Sequence, residues 1–365
     1  MRIVFKTSYD SDICLFKHGF HAFWYALLLV IALALPWLVE EFWLGEFTSM
    51  LIWAVAGMGL MLLVGHTGQA SLGHAAFLAV GAYVDVLLIN AGVPFILALP
   101  LAGLAAAVAG ILIALPTTKL HGIYMAIATL AISILTEDII VILEPWTGGV
   151  GGLFAPDIEI FGVNFNRYGN ITGMYWLYLG ITLAVLFAYK NILRSPLGRS
   201  FAAVRDSEIS AQAMGVNLPR TRTLSFALSC GVTGIAGAMM GHFSGIFNNE
   251  TFNIVISITL LLMIVIGGLG FIQGAFIGAL VITFLPTGIS FGRDALSNIF
   301  GGSTMTIPGL ESGLFGAILI AVILFEPMGI WGRWLKIRTY FELFPFARRD
   351  MFRRQKSYLK TERMR

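Results

Sequence analysis

The feature that most limits what this chain can fold into is a series of apolar runs, each close to the ~20 residues a helix needs to cross a ~30 Å hydrocarbon core. They fall at 23–39, 47–64, 75–90, 94–115 and 122–143, then at 173–189, 223–243, 253–267, 271–287 and 313–330. A soluble core cannot absorb so many apolar segments, and the composition agrees: 58% of the 365 residues are hydrophobic and 12% are charged. Charge is thus about half the ~25% usual in soluble domains. The expectation is an all-α, polytopic integral membrane protein with about ten transmembrane helices. The first run ends at Glu40-Glu41 without a small-x-small cleavage pattern, so it reads as a retained helix and not as a signal peptide.

Charge sets the expected topology, because cytoplasmic loops carry an excess of Lys and Arg. With both termini inside, the 190–222 loop, with six basic residues, faces the cytoplasm. So does the tail, where eleven Lys or Arg lie between Arg333 and Arg365. The 144–172 loop, with Arg167 alone against Glu144, Asp157 and Glu159, falls outside. The organisation is a 1–22 cytoplasmic segment, a 23–330 transmembrane region and a 331–365 basic tail suited to anionic headgroups. The net charge of +3 therefore points to a membrane surface and not to nucleic acid. A single helix over 253–286 would put the tail on the wrong side. The expectation is two short spans separated at Gly267-Gly268-Leu269-Gly270, either across a surface turn or as a re-entrant pair.

Between the second and third runs lies Gly65-His66-Thr67-Gly68-Gln69-Ala70-Ser71-Leu72-Gly73-His74. Polar, glycine-rich backbone at membrane depth is tolerated only where it is buried in protein or lines a wet cavity. The 50–90 stretch is about 40 residues, or ~60 Å of helix, which leaves little length for an exposed turn after two crossings. The break is therefore expected to be drawn into the protein, with Gln69, Ser71 and His74 facing a translocation path or bracing its inner gate. Asp85 falls inside the third run, where a charge is costly and a place on the pathway is the default reading; pairing with a hydroxyl or backbone group near the boundary is the alternative. Glu137 and Asp138 read as interfacial. His66 and His74 have no neighbouring carboxylate or thiol to complete a metal shell, and Cys14 and Cys230 form no CxxC pair, so no metal site and no disulfide are expected.

Two more patterns stand out. Gly237, Gly241 and Gly245 recur every four residues, the spacing that lets helix backbones approach closely, with pore lining as the alternative. In the 190–222 loop, Ser207 is an acceptable N-cap for a short helix that Gly215 and Pro219 would end. A helix of that length is marginal alone, so it is either part of an ordinary solvated loop or docked into a groove on a partner. The chain has no GxxxxGK[ST], so it cannot cradle nucleotide phosphates by a P-loop. It also has no nucleophile and base constellation, which argues against an enzyme.

Several motifs together carry a family resemblance. The Gly65 to Phe77 stretch, Leu120-His121-Gly122-Ile123-Tyr124, Thr147-Gly148-Gly149, Ser195-Pro196-Leu197-Gly198-Arg199 through Ala213-Met214-Gly215, and Met263 through Gly270 resemble the LivM-type permease of branched-chain amino acid ABC importers. The resemblance implies a multi-pass, non-catalytic subunit of the bacterial cytoplasmic (inner) membrane. It implies as partners a second, similar permease, two cytoplasmic ATPases that bind the ATP, and a solute-binding protein outside; no cofactor is held in this chain. It also implies coupling to the ATPases through Gly198, Arg199, Glu208, Ala211 and Gly215. The spacing from Glu208 to Gly215 is one residue longer than the family's Glu-Ala-Ala-x-x-x-Gly pattern. Related permeases with these motifs serve urea, short amides or aromatic acids. A self-sufficient ion-coupled transporter using Asp85 is the reading from a different class.

Overall fold

A computed structural model describes residues 19–117, 122–160, 162–299, 310–326 and 328–343. Cys14, the Leu120-His121 pair and the tail from 344 onward lie outside the described residues, as does most of the 1–22 segment. Each apolar run becomes a helix. These are α1 (Gly19–Leu38), α2 (Glu41–Thr67), α3 (His74–Asn90), α4 (Phe95–Thr117), α5 (Ile123–Ile142) and α6 (Ile171–Arg194). Then follow α7 (Pro196–Asp206), α8 (Glu208–Ala213), α9 (Leu218–Ser244), α10 (Ile254–Gly267), α11 (Ile272–Ile299), α12 (Leu310–Phe325) and α13 (Gly329–Leu343). Among the described residues, seven segments are long and apolar enough to cross a membrane, and the apolar stretches at Ala22–Leu38, His74–Asn90 and Gly313–Val322 are shorter. The protein is thus a mostly helical, multi-pass membrane protein.

Among the described residues, the helices are accompanied by four short strands. Two antiparallel two-stranded ladders are present, β1 (Leu153–Phe154) with β4 (Ile246–Phe247) and β2 (Ile158–Ile160) with β3 (Val163–Phe165). The first joins the 144–172 loop to the end of α9, giving partners to backbone groups that no helix satisfies.

The core is organised around α9, which packs against α2, α3 and α4. Small residues make this possible. A Cβ on Gly81 of α3 would collide with the carbonyl of Gly234, and one on Gly234 would run into Ala106 of α4. A Cβ on Gly237 would strike the carbonyl of Leu78. Without a hydrophobic drive between helices in lipid, such backbone contact is the main source of association. At Gly241 the fit is looser, with the Phe247 ring edge 3.0 Å and the Ala82 Cβ 3.4 Å from the Cβ position. Gly245 departs from the packing expectation: it caps α9 at φ 75° with open space around it, so it ends the helix and does not pack it.

The Gly267–Gly270 segment is a tight turn between α10 and α11, which press together along their length. A Cβ on Gly267 would meet the Gly274 carbonyl, and one on Gly278 the Met263 carbonyl. Loops sort to two ends of the bundle. At one end, Gly65 touches Gly270, Arg205 of α7 reaches Gly65, and Gly268 lies against Met328 and Trp331 of the α13 region. At the other, β1 pairs with β4 and the Ala155 N–H donates to the Gly245 carbonyl at 2.8 Å.

Candidate functional site

Helix α2 ends at Gly68, whose φ of 76° turns the chain, and α3 starts at His74. The intervening polar residues are drawn inward: relative exposure is 8% at Gln69, 1% at Ser71 and 0% at His74. Each finds a partner on α9 or within the break. Gln69 Nε2 donates to Ser225 Oγ at 2.8 Å. His74 Nε2 lies 2.8 Å from Ser229 Oγ, and His74 Nδ1 lies 2.9 Å from Ser71 Oγ. Ser229 spends its one hydroxyl hydrogen on the Gly59 carbonyl, 2.6 Å away, so it can only accept from His74. This assigns the imidazole hydrogen to Nε2 and leaves Nδ1 to accept from Ser71. Freed backbone groups are met by hydroxyls: Leu72 N–H donates to Thr129 Oγ1 at 3.0 Å, and Ala75 N–H to Ser257 Oγ at 2.9 Å. Gly73 is crowded by the Thr129 carbonyl of α5, which excludes any side chain there.

The partners on α9 were not singled out from the sequence. Ser225, Ser229 and Thr233 recur every four residues inside an apolar run, so they line one helix face, and that periodicity is the signal available. His66 sits apart from this network with its ring edge-on to Tyr189, centroids 5.8 Å apart. Among the described residues, no group of three His, Cys, Asp or Glu is placed to hold a metal ion.

Asp85 is fully buried, and its partner is another missed residue. Its Oδ2 lies 2.7 Å from His242 Nε2, while His242 Nδ1 lies 2.9 Å from the Pro156 carbonyl. A carbonyl can only accept, so Nδ1 carries a hydrogen, and the bond at Nε2 shares one further proton with the carboxyl group. The arrangement joins α3, α9 and the 144–172 loop. Asp85 Oδ1 is buried with no hydrogen-bond partner.

At the opposite end the 190–222 loop forms two helices. Gly198 is packed so close to the Leu193 carbonyl that a Cβ would collide, which sets the corner between α6 and α7. Arg199 Nη1 donates to the Arg194 carbonyl at 3.4 Å. Ser207 caps α8 by accepting from Ser210 N–H at 3.3 Å, and Gly215, at φ 86°, turns the chain after it. Pro219, expected to end this helix, instead occupies the first turn of α9, where a missing N–H costs nothing. Glu208 pairs with the largely buried Arg222 of α9, and Ala211 is buried at 3% exposure. The large apolar side chains exposed here are Ile209 and Met214, at 85% and 86%, neither of them selected from the sequence.

A family model described as branched-chain amino acid transport system / permease component matches residues 44–323. The chain is similar to the high-affinity branched-chain amino acid transport system permease protein LivM of Salmonella typhimurium, 34% identical over 265 residues, or 67% of this chain and 62% of that protein. The LivM protein of Escherichia coli is 33% identical over the same shares. The probable branched-chain amino acid transport permease protein LivM of Methanocaldococcus jannaschii is 26% identical over 84% of this chain and 91% of its own. The match thus spans somewhat under two thirds of the first two relatives, at 62% of their length. No solved structure matches the chain.

Proposed function

Because the chain belongs to the family of branched-chain amino acid transport system permease components, we propose that it is the membrane permease subunit of an ATP-driven importer for such amino acids. In this reading it forms half of a translocation path with a second, similar permease. Two ATPases dock at the end of the bundle that carries α7 and α8, and a solute-binding protein delivers solute at the end that carries the 144–172 loop. The α8 end then faces the cytoplasm, a side that the six basic residues of the 190–222 loop favour. All ten apolar helices, including the three shorter stretches, then cross or enter the membrane.

The observation that carries the reading is α8. Two large apolar side chains, Ile209 and the C-cap residue Met214, are exposed on a short helix that its own Glu208 ties to Arg222. Exposed apolar groups beside buried ones mark a protein contact surface, and a six-residue helix holds its shape only by docking. The route inward is continuous: Arg222 opens the stretch of α9 whose Ser225 and Ser229 hold Gln69 and His74. Movement of α8 is passed by this route to the polar break, which acts as the inner gate. Asp85 gives no support to an ion-coupled alternative, since its bond to His242 supplies a structural partner.

The test is co-purification with the partner ATPases. Ile209→Asp and Met214→Asp are expected to weaken ATPase association about tenfold or more, the scale of a central interface anchor, while the permease still folds. Undiminished ATPase association in the double variant would overturn the docking assignment.

A further inference from the structure

The geometry points to Arg205 as a positioning residue that ties the docking loop to both glycine turns at the same end of the bundle, a role that rests on the importer reading above. The two turns are far apart in sequence and meet in space. A Cβ on Gly65 would lie 2.8 Å from Gly270 N, and Gly270 N–H points at Met61 Sδ, 3.2 Å away. Gly68 and Gly270 both take positive φ, 76° and 83°, so neither turn could close with an ordinary side chain.

Arg205 lies over this junction. The Leu63 carbonyl accepts from both Gly68 N–H and Gln69 N–H, so the amide that would serve the Gly65 carbonyl in a continuing helix is already spent. Arg205 Nη1 donates to that carbonyl at 3.3 Å. Its Cγ is the nearest atom to the Cβ position of Gly68, at 3.3 Å, and its Nη1 lies 3.8 Å from that of Gly270. Asp206 aims the guanidinium, with Oδ1 3.0 Å from both Nε and Nη2. The planar fork lets one arginine face a carboxylate and a carbonyl together, which a lysine cannot fully copy.

The position in the chain makes the contact useful. Arg205 and Asp206 end α7, and Ser207 alone separates them from α8. Displacement of α8 therefore pulls on the Arg205 bond before any other contact to the end of α2. The Gly267–Gly270 turn is held from its other side by Met328 and Trp331, so it has a fixed surface to move against. The Glu208–Arg222 pair reaches α9; Arg205 reaches α2 and the turn between α10 and α11. The docking loop thereby acts on the gate at two points. The side chain is 40% exposed, which suits a link that is made and broken and not a buried rivet.

The experiment uses the complete importer in proteoliposomes and reads tritiated leucine uptake per ATP hydrolysed. Arg205→Ala is expected to leave ATPase co-purification unchanged and ATP hydrolysis within about twofold, while uptake per ATP falls about tenfold, within the range by which single residues modulate coupling. Arg205→Lys should recover part of the ratio, and Asp206→Asn should lower it by about threefold through loss of aim. A wild-type ratio in Arg205→Ala, or equal loss of both activities in Arg205→Ala and Arg205→Lys, overturns the assignment. If Arg205→Ala fails to assemble, Asp206→Asn decides: a lowered ratio supports the role and a wild-type ratio overturns it. Absence of ATP-dependent uptake by the wild-type complex would instead overturn the importer reading itself.

Discussion

At the scale of single residues, the buried Asp85–His242 pair makes the sharpest stability demand. Removing one partner of a buried pair leaves the other without compensation, at about 3–5 kcal/mol, whereas removing both costs less than the sum. Asp85→Ala and His242→Ala are each expected to destabilise the purified protein on that scale, with a favourable coupling of at least 1 kcal/mol or so in the double-mutant cycle read from thermal unfolding in detergent. Strict additivity would show that the pair is not a unit. The sequence made Asp85 conspicuous because a carboxylate in an apolar run is rare. It could not name His242, which lies 157 positions further on and is brought near only by the crossing of α3 and α9. The same limit hid Ser229 behind His74 and Arg222 behind Glu208. Asp85 and His74 were flagged because their local settings are costly and Glu208 because of the family resemblance, and in each case the partner was found only from the packing.

At the scale of elements, helix positions were legible because the cost of a bare backbone in lipid forces each apolar run into a helix. The strands β1 to β4 were not, since segments of two or three residues leave no periodic trace. The glycine stripe on α9 shows where spacing informs and where it misleads. Gly237 faces the Leu78 carbonyl at contact, whereas Gly245, the last glycine in the same register, is the turn that ends the helix. Gly237→Ala should therefore force α3 and α9 apart and cost about 2–3 kcal/mol through overpacking. Gly245→Ala should cost about 1 kcal/mol, from the positive φ alone. Thermal unfolding of the two variants ranks them, and equal midpoints would contradict the distinction.

At the scale of the whole molecule, the bundle has two ends with different chemistry. One end carries α8, Arg205 and the two glycine turns; the other carries the ladder between β1 and β4 and the Pro156 carbonyl that His242 holds. The charge pattern of the loops assigns these ends to opposite sides in sequence, because loop charge is read without knowing any contact. The polar interruption between α2 and α3 was legible as a break in hydropathy. Its closure by Ser225, Ser229 and Thr129 was not, since hydroxyls in apolar runs look ordinary until a helix face is fixed. In the proposed importer, ATP bound by partner subunits at the α8 end drives solute across. The most direct measurement is leucine uptake by proteoliposomes holding the assembled complex, with ATP supplied on the α8 side only. The account predicts uptake that requires ATP there and the loaded solute-binding protein on the opposite face. Uptake that proceeds without ATP, driven by a proton or sodium gradient, would contradict it.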